Sequence, residues 1–158
     1  MRISLIILLT LGLTHGAVAA PDYSAEVKSE FRKYFGEAIP EVIQAGKIDL
    51  ITEKLYETPA QMPVKMRFHV DGVEKVLLLN VRSNGYSREG LYYESCAREP
   101  AFLAAYTMNK KNSPKELEAR IRTSCIDHQV ILMLWVKTTS GYYLDTAAFQ
   151  TTSESPGE

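Results

Sequence analysis

Hydrophobic residues change their spacing along the chain, from a helical period at the N-terminal end to a strict alternation further on. Across residues 24–38 apolar side chains recur every three or four positions, with charged residues between them, which predicts an amphipathic helix. Ser24 is a suitable N-cap for this helix. Asp49 is a candidate cap for a second short helix over residues 50–57.

The clearest strand signal covers residues 64–70, where apolar and charged residues alternate. This period of two predicts a strand with one buried face. Asp71-Gly72 follows, a dipeptide typical of two-residue hairpin turns, so residues 73–82 are predicted to pair antiparallel with the first strand. In that register Phe68 lies opposite Lys75. Strand 73–82 is apolar on both faces, which indicates a central strand covered twice or a strand that faces a partner or ligand.

A second turn dipeptide, Asn84-Gly85, predicts a third strand over residues 86–95. Residues 97–124 are predicted to be helical. Pro100 suits a first helical position, and the run Ser113-Pro114-Lys115-Glu116 has the form of a capping box with proline at the first helical position.

The unbroken apolar run over residues 130–136 predicts a fourth strand, because it is short and rich in β-branched residues. A helix that continues from Pro114 through Trp135 is the open alternative. A turn at residues 138–141 then leads to a fifth strand over residues 142–149.

Taken together, these elements predict an α+β fold: an N-terminal helix packed on a curved antiparallel sheet of about five strands, with a helical insert between strands 3 and 4. In element order alone the layout resembles cystatin-type and nuclear-transport-factor-like folds. No motif is shared with either, and a fold of this kind does not define a function.

The N-terminus has the pattern of an export signal. Arg2 is the only charged residue before Asp22, and an apolar run separates it from the small residues 16–20, which is the order of a secretory signal. The run is shorter than the roughly 20 residues that span a bilayer. We therefore predict a cleavable signal peptide over residues 1–19, a single exported domain over 20–150 and a disordered tail over 151–158.

The predicted location is periplasmic or secreted. The sequence has no Asn-x-Ser/Thr acceptor for N-glycosylation, so a bacterial periplasm fits better than a eukaryotic secretory route. Cys96 and Cys125 are the only two cysteines among 158 residues, and in an oxidising compartment they are predicted to form one disulfide. Such a bond would contribute about 3 to 4 kcal/mol on the chain-entropy model. A reactive or metal-binding thiol is the alternative.

Candidate chemistry is sparse. The net charge is −1 and the basic residues are scattered, so nucleic acid is not an expected partner. His69 is predicted to face solvent opposite Glu74, as an ordinary exposed pair or, alternatively, an acid–base pair. His128 lies close to Cys125, but no second ligand cluster would complete a zinc site. No phosphate-binding loop, dinucleotide loop or nucleophile elbow is present, and no catalytic residue, cofactor or metal is assigned.

Tyrosines suggest a protein interface. Adjacent residues of a strand point to opposite faces, so one member each of Tyr92-Tyr93 and Tyr142-Tyr143 is predicted to look outward. Tyr93 and Tyr143, with Arg88 and Arg98 nearby, are candidate interface residues, because Tyr and Arg are enriched at interfaces. The alternative is that the outward tyrosines cover a two-sided sheet or lie under the helical insert.

The predicted function is a small exported protein-binding module of the bacterial cell envelope, as an inhibitor, an immunity-type protein or an accessory protein. The first alternative is a periplasmic carrier of a small apolar ligand, suggested by the two-sided apolar strand. The second is a small enzyme that uses His69 or His128.

Overall fold

The computed structural model describes residues 18–19, 23–56, 62–82, 101–109, 114–121 and 129–151. Within these ranges the chain forms one helix, α1 (Ala25–Phe35), and ten strands. The strands are β1 (Val18–Ala19), β2 (Val42–Ile43), β3 (Ile48–Ile51), β4 (Leu55–Tyr56), β5 (Met62–Phe68), β6 (Val73–Arg82), β7 (Ala101–Thr107), β8 (Glu116–Ile121), β9 (Gln129–Thr138) and β10 (Gly141–Thr151).

Two sheets pack face to face. The larger has the strand order β4-β10-β9-β6-β7 and the smaller the order β3-β5-β8, while β1 and β2 form a separate two-stranded pair. All pairs are antiparallel except β4 with β10. On one side of the molecule β3 lies beside β10, where the Leu50 amide donates to Asp145 Oδ2 at 2.7 Å. The architecture is a β-sandwich with a helix on its outer surface.

The prediction of an α+β fold with a helical insert is wrong. Within the predicted insert, the described residues form strands β7 and β8. In β8, Glu116, Glu118 and Arg120 are exposed and alternate with inward-facing apolar residues. Pairing with β5 and β6 therefore decided the conformation over the helix propensity of these alanine-, leucine- and glutamate-rich segments.

The second predicted helix, over residues 50–57, is also wrong. Residues Ile48–Ile51 form β3 and pair with β5, from Ile48 opposite Phe68 to Ile51 opposite Lys65. Ile48 and Leu50 are buried, whereas Asp49 and Ile51, which alternate with them, are more exposed. This alternation has the period of a strand, and burial of its two apolar residues against the sandwich core outweighs the local capping signal of Asp49.

The predicted hairpin between residues 64–70 and 73–82 does not form. Both segments are strands, but β5 belongs to the smaller sheet and β6 to the larger one. Asp71-Gly72 carries the chain from one sheet to the other, with Gly72 at φ +71° and its carbonyl accepting from the Thr139 amide at 3.0 Å. This arrangement avoids placing Lys75 opposite Phe68.

Three local predictions are confirmed. A helix occupies residues 25–35, with the Ser24 Oγ accepting from the Val27 amide at 3.3 Å and Gly36 ending it at φ +80°. The apolar run over residues 130–136 is a strand, β9, rather than a continued helix. The tight turn after Thr138 joins β9 to β10 in a regular antiparallel register.

Strands β6 and β9 are buried on both faces. Leu78 and Leu134 point into the core between the sheets, whereas Leu77 and Trp135 point toward the helix. The Phe31 ring lies 4.9 Å from the Trp135 ring in an edge-to-face contact. The two-sided apolar pattern of residues 73–82 thus reflects a central strand that is covered twice.

Several predicted segments lie outside the described residues. They are the turn at Asn84-Gly85, the third strand over residues 86–95, and residues 152–158 of the predicted tail. Thr151, assigned to that tail, is instead the buried last residue of β10.

Within the predicted signal peptide, Val18–Ala19 pairs with Val42–Ile43. No helix in the described part of the chain is both long and apolar enough to cross a membrane.

Replacing Phe31 by Ala is expected to destabilise the fold by about 3 to 5 kcal/mol, the usual cost of deleting a buried aromatic ring. Phe31 is fully buried and contacts the rings of Phe35, Trp135 and Tyr142. Urea unfolding followed by Trp135 fluorescence measures this loss. Ser29→Ala, at an exposed position of the same helix, is the control and should change stability by less than about 0.5 kcal/mol.

Candidate functional site

Most residues proposed from the sequence as interface, disulfide or catalytic residues lie outside the described residues; these are Arg88, Tyr93, Cys96, Arg98, Cys125 and His128. Tyr143 is described, and it is 2% exposed in the core between the sheets. Its neighbour Tyr142 faces the helix and is 9% exposed. The strand does turn these two rings to opposite faces, but both faces are covered, so the Tyr143 ring is not part of the surface.

His69 lies at the end of β5 and pairs with Asp49 rather than with Glu74. Its Nε2 is 2.7 Å from Asp49 Oδ2, and both side chains are about half exposed. His69 borders an open depression of about 400 Å³ whose other lining residues include Arg67, Lys115 and Glu116. None of the lining residues carries a hydroxyl or a thiol that His69 could activate.

The charges around this depression are already paired. Arg67 lies 3.1 Å from Glu116, and Lys115 lies 2.5 Å from Asp71. The hydrogen bond from Lys115 lowers the pKa of the Asp71 carboxyl. Exposed pairs of this kind contribute little to stability, and together they form a charge-balanced outer face on the smaller sheet. Among the described residues, no three His, Cys, Asp or Glu side chains are grouped so as to hold a metal ion.

A second polar cluster lies at the C-terminal end of α1. Lys75 and Lys137 are directly opposite each other on β6 and β9, a pairing that is repulsive by itself. Lys75 donates to the Tyr34 carbonyl in the last turn of the helix at 3.4 Å. Lys137 binds the Glu37 carboxylate at 2.5 Å. Lys75 thus binds a partially negative carbonyl in the last turn of the helix and Lys137 binds a carboxylate just beyond it, and together they fasten that end to the sheet.

The same carboxylate accepts a hydrogen bond from the Tyr142 hydroxyl. Burial, followed by this bond to Glu37, raises the pKa of Tyr142 to about 12. Hydrogen bonds from Lys137 and Tyr142 lower the pKa of Glu37, and the bond to Glu37 raises the pKa of Lys137. These pKa shifts favour a charged Glu37, a charged Lys137 and a neutral Tyr142 at neutral pH, and their contacts join the residue after the helix to β9 and β10.

The edges of the two sheets differ in how they are protected. Strand β8 carries the exposed charged side chains of Glu116, Glu118 and Arg120, and β4 is only two residues long. Exposed charges and short length both discourage pairing with another chain. Along β3, the Leu50 amide is bound to Asp145. Strand β7 has none of these features: it contains neither a charged residue nor a proline.

In the part of the chain that the structure describes, β7 pairs on one side only, with β6. The Met108 amide donates to the Glu74 carbonyl at 2.8 Å. Because hydrogen-bonding groups alternate along an antiparallel strand, the amides and carbonyls of Ala105 and Thr107 point away from β6. This β7 edge is the candidate functional site.

The sequence pattern does not indicate the β7 edge, because residues 101–107 lie within the segment that it predicts to be helical. The available signal was a seven-residue segment without charge or proline, Ala101–Thr107, a composition that exposed edge strands usually avoid. That signal becomes interpretable only once the segment is known to be an edge strand.

Fold and site together define a two-layer β-sandwich in which, among the described residues, β7 is an edge strand without charge or proline. No protein-family model and no curated protein matches the chain. Among solved structures, the sulfur carrier protein SoxY from Chlorobium limicola f thiosulfatophilum is similar, with a TM-score of 0.57 and 16% sequence identity over 80% of this chain and 91% of that chain.

A superoxide reductase (neelaredoxin) from Ignicoccus hospitalis is also similar, with a TM-score of 0.51 and 7% identity over 67% of this chain and 80% of that chain. At identities this low, both likenesses support the sandwich fold alone. They do not support the predicted cystatin-type or nuclear-transport-factor-like layout.

Replacing Glu37 by Gln is expected to cost about 0.5 to 1 kcal/mol at pH 7, the range for a partly exposed ion pair. The folded-state pKa of Glu37 lies below its ordinary value of 4.5. Its contribution is therefore fully present above pH 4.5 and is lost as pH falls through the lower folded-state pKa. Urea unfolding at pH 7, 4.5 and 3 should show the two proteins converging toward pH 3; a difference that stays constant would contradict this assignment.

Proposed function

We propose that this chain is an exported protein-binding module of the bacterial cell envelope, an inhibitor, immunity-type or accessory protein, and that it binds its partner through the β7 edge. The observation that supports this proposal is the edge of β7 that pairs with no other strand in the described part of the chain. Outward-pointing amides and carbonyls at Ala105 and Thr107 can accept an extended segment of another polypeptide as an additional strand.

The energetics of strand addition suit a specific but reversible complex. Each main-chain hydrogen bond formed in this way contributes roughly 0.5 to 1.5 kcal/mol net of water. Side-chain contacts supply the rest of the affinity and most of the specificity. Because β7 is anchored on the doubly buried β6, little ordering of the acceptor is required, which keeps the entropic cost of binding low.

Neither alternative gains support from the described residues. The carrier hypothesis rested on the two-sided apolar strand, and the rings of Phe31 and Trp135 account for one of those faces, with the smaller sheet covering the other. The enzyme hypothesis rested on His69 or His128, and His69 is an exposed residue paired with Asp49. Export itself is supported by the N-terminal sequence pattern.

Replacing Ala105 by Pro is expected to weaken partner binding by at least about tenfold, because it removes an outward amide and blocks the approach of a strand. The fold should survive, since proline is tolerated on an edge strand when the lost amide faces outward. Ala105→Ser keeps the amide and is the matched control. The mature chain and both variants are immobilised, exposed to periplasmic extract, and the bound protein is quantified by mass spectrometry.

Circular dichroism and the thermal midpoint establish that both variants are folded. A partner that is retained by the wild type and by Ala105→Ser, but not by Ala105→Pro, would support the proposal. A partner retained equally by all three proteins would show that the β7 edge is not the binding site.

A further inference from the structure

The chemistry of the partner segment follows from what lies beside the β7 edge. Resting on the proposed function, we infer that the partner segment alternates apolar and polar residues, and that its apolar side chains enter the gap between β7 and β8. We call this gap the seam. The seam lies between the outer described strands of the two sheets, on the side of the sandwich away from the contact between β3 and β10.

The structure brings β7 and β8 to the same side of the sandwich. Just after β7, the Met108 amide binds the Glu74 carbonyl at 2.8 Å; just before β8, the Lys115 carbonyl accepts from the Phe68 amide at 2.8 Å. Both anchor points flank the short Asp71-Gly72 link between β5 and β6. The end of β7 and the start of β8 are therefore both anchored beside this link, each as the outer described strand of its own sheet.

The seam is apolar and incompletely buried. Leu103, Ala104 and Tyr106 of β7, with Met108 just after it, pack against the core between the sheets but stay partly exposed, and so does Leu117 of β8. On the opposite side of the same core, Ile48 and Leu50 of β3 and the Tyr143 ring of β10 are buried. The core is therefore less completely covered at the seam.

No charge from β8 faces this apolar strip. Glu116, Glu118 and Arg120 alternate with the inward side chains and lie on the exposed face. A polar or charged partner side chain placed in the seam would lose its hydration without gaining a partner among these residues, which is unfavourable. An apolar side chain would extend the existing core.

Strand addition then imposes a period of two. Successive side chains of an added strand point to opposite faces, so every second partner residue faces the seam. The intervening residues lie on the side of the larger sheet that carries α1, where Thr107 is exposed. There the Tyr34 hydroxyl donates to the Tyr106 carbonyl at 2.9 Å. Polar residues are tolerated on that partly solvated side.

The test is a selection of displayed random nonapeptides on the immobilised mature chain. We expect enrichment of Val, Ile, Leu or Phe at every second position. Binding of the selected consensus peptide, measured by fluorescence anisotropy, should weaken about tenfold or more in Ala105→Pro, because one edge hydrogen bond and the strand approach are lost. If that variant does not fold, Thr107→Pro, at an exposed position, replaces it.

A matched pair of substitutions separates the seam from the edge. Leu117→Gln places a polar group in the seam without touching β7 and should weaken the consensus peptide about tenfold. Glu118→Gln changes the next residue, which faces outward, and should change affinity less than about twofold.

Each outcome is decisive. Alternating peptides that are sensitive to both Ala105→Pro and Leu117→Gln would support the inference. Selected peptides that lack the alternation but are lost in Ala105→Pro would overturn the inference and leave the proposed function intact. Peptides indifferent to Ala105→Pro, or no enrichment at all, would overturn both.

Discussion

Burial of β6 and β9 on both faces is the constraint on which the remaining structure depends. A strand with leucines, valines and tryptophan on both sides is stable only when two layers cover it, because each exposed apolar side chain would forfeit roughly 1.5 to 3 kcal/mol. The smaller sheet covers one face and helix α1 covers the other. Helix α1, the larger sheet and the smaller sheet therefore stack in that order. The same requirement places β5 and β6 in different sheets.

The same arrangement determines which surfaces remain available. The smaller sheet has solvent on its outer face, and the residues there, including Arg67, Glu116 and the pair His69–Asp49, form balanced exposed pairs. The helix presents its charged side outward. Among the described residues, most side chains on these two surfaces are charged or polar. Outward main-chain groups beside several partly exposed apolar side chains are instead found along β7, at the outer edge of the larger sheet.

The polar cluster at the helix end supports this site indirectly. Lys75 lies on β6, the strand to which β7 is paired, and Lys137 lies opposite it on β9. Their contacts with the Tyr34 carbonyl and the Glu37 carboxylate hold the helix on the sheet. A helix fastened in this way covers one face of β6, the strand on which β7 is paired. Affinity for an added strand benefits from such preorganisation.

The sequence by itself determined the features that depend on neighbouring residues. The helix from Ser24 to Gly36 and the hairpin of β9 and β10 follow from capping, periodicity and turn chemistry within a few residues. Tertiary structure alone decided that Asp71-Gly72 links two sheets, that residues 101–107 form an edge strand, that His69 pairs with Asp49, and that both faces around Tyr142 and Tyr143 are covered. The physical reason is that strand pairing and burial are set by residues far apart in the chain, whose contacts outweigh local propensity.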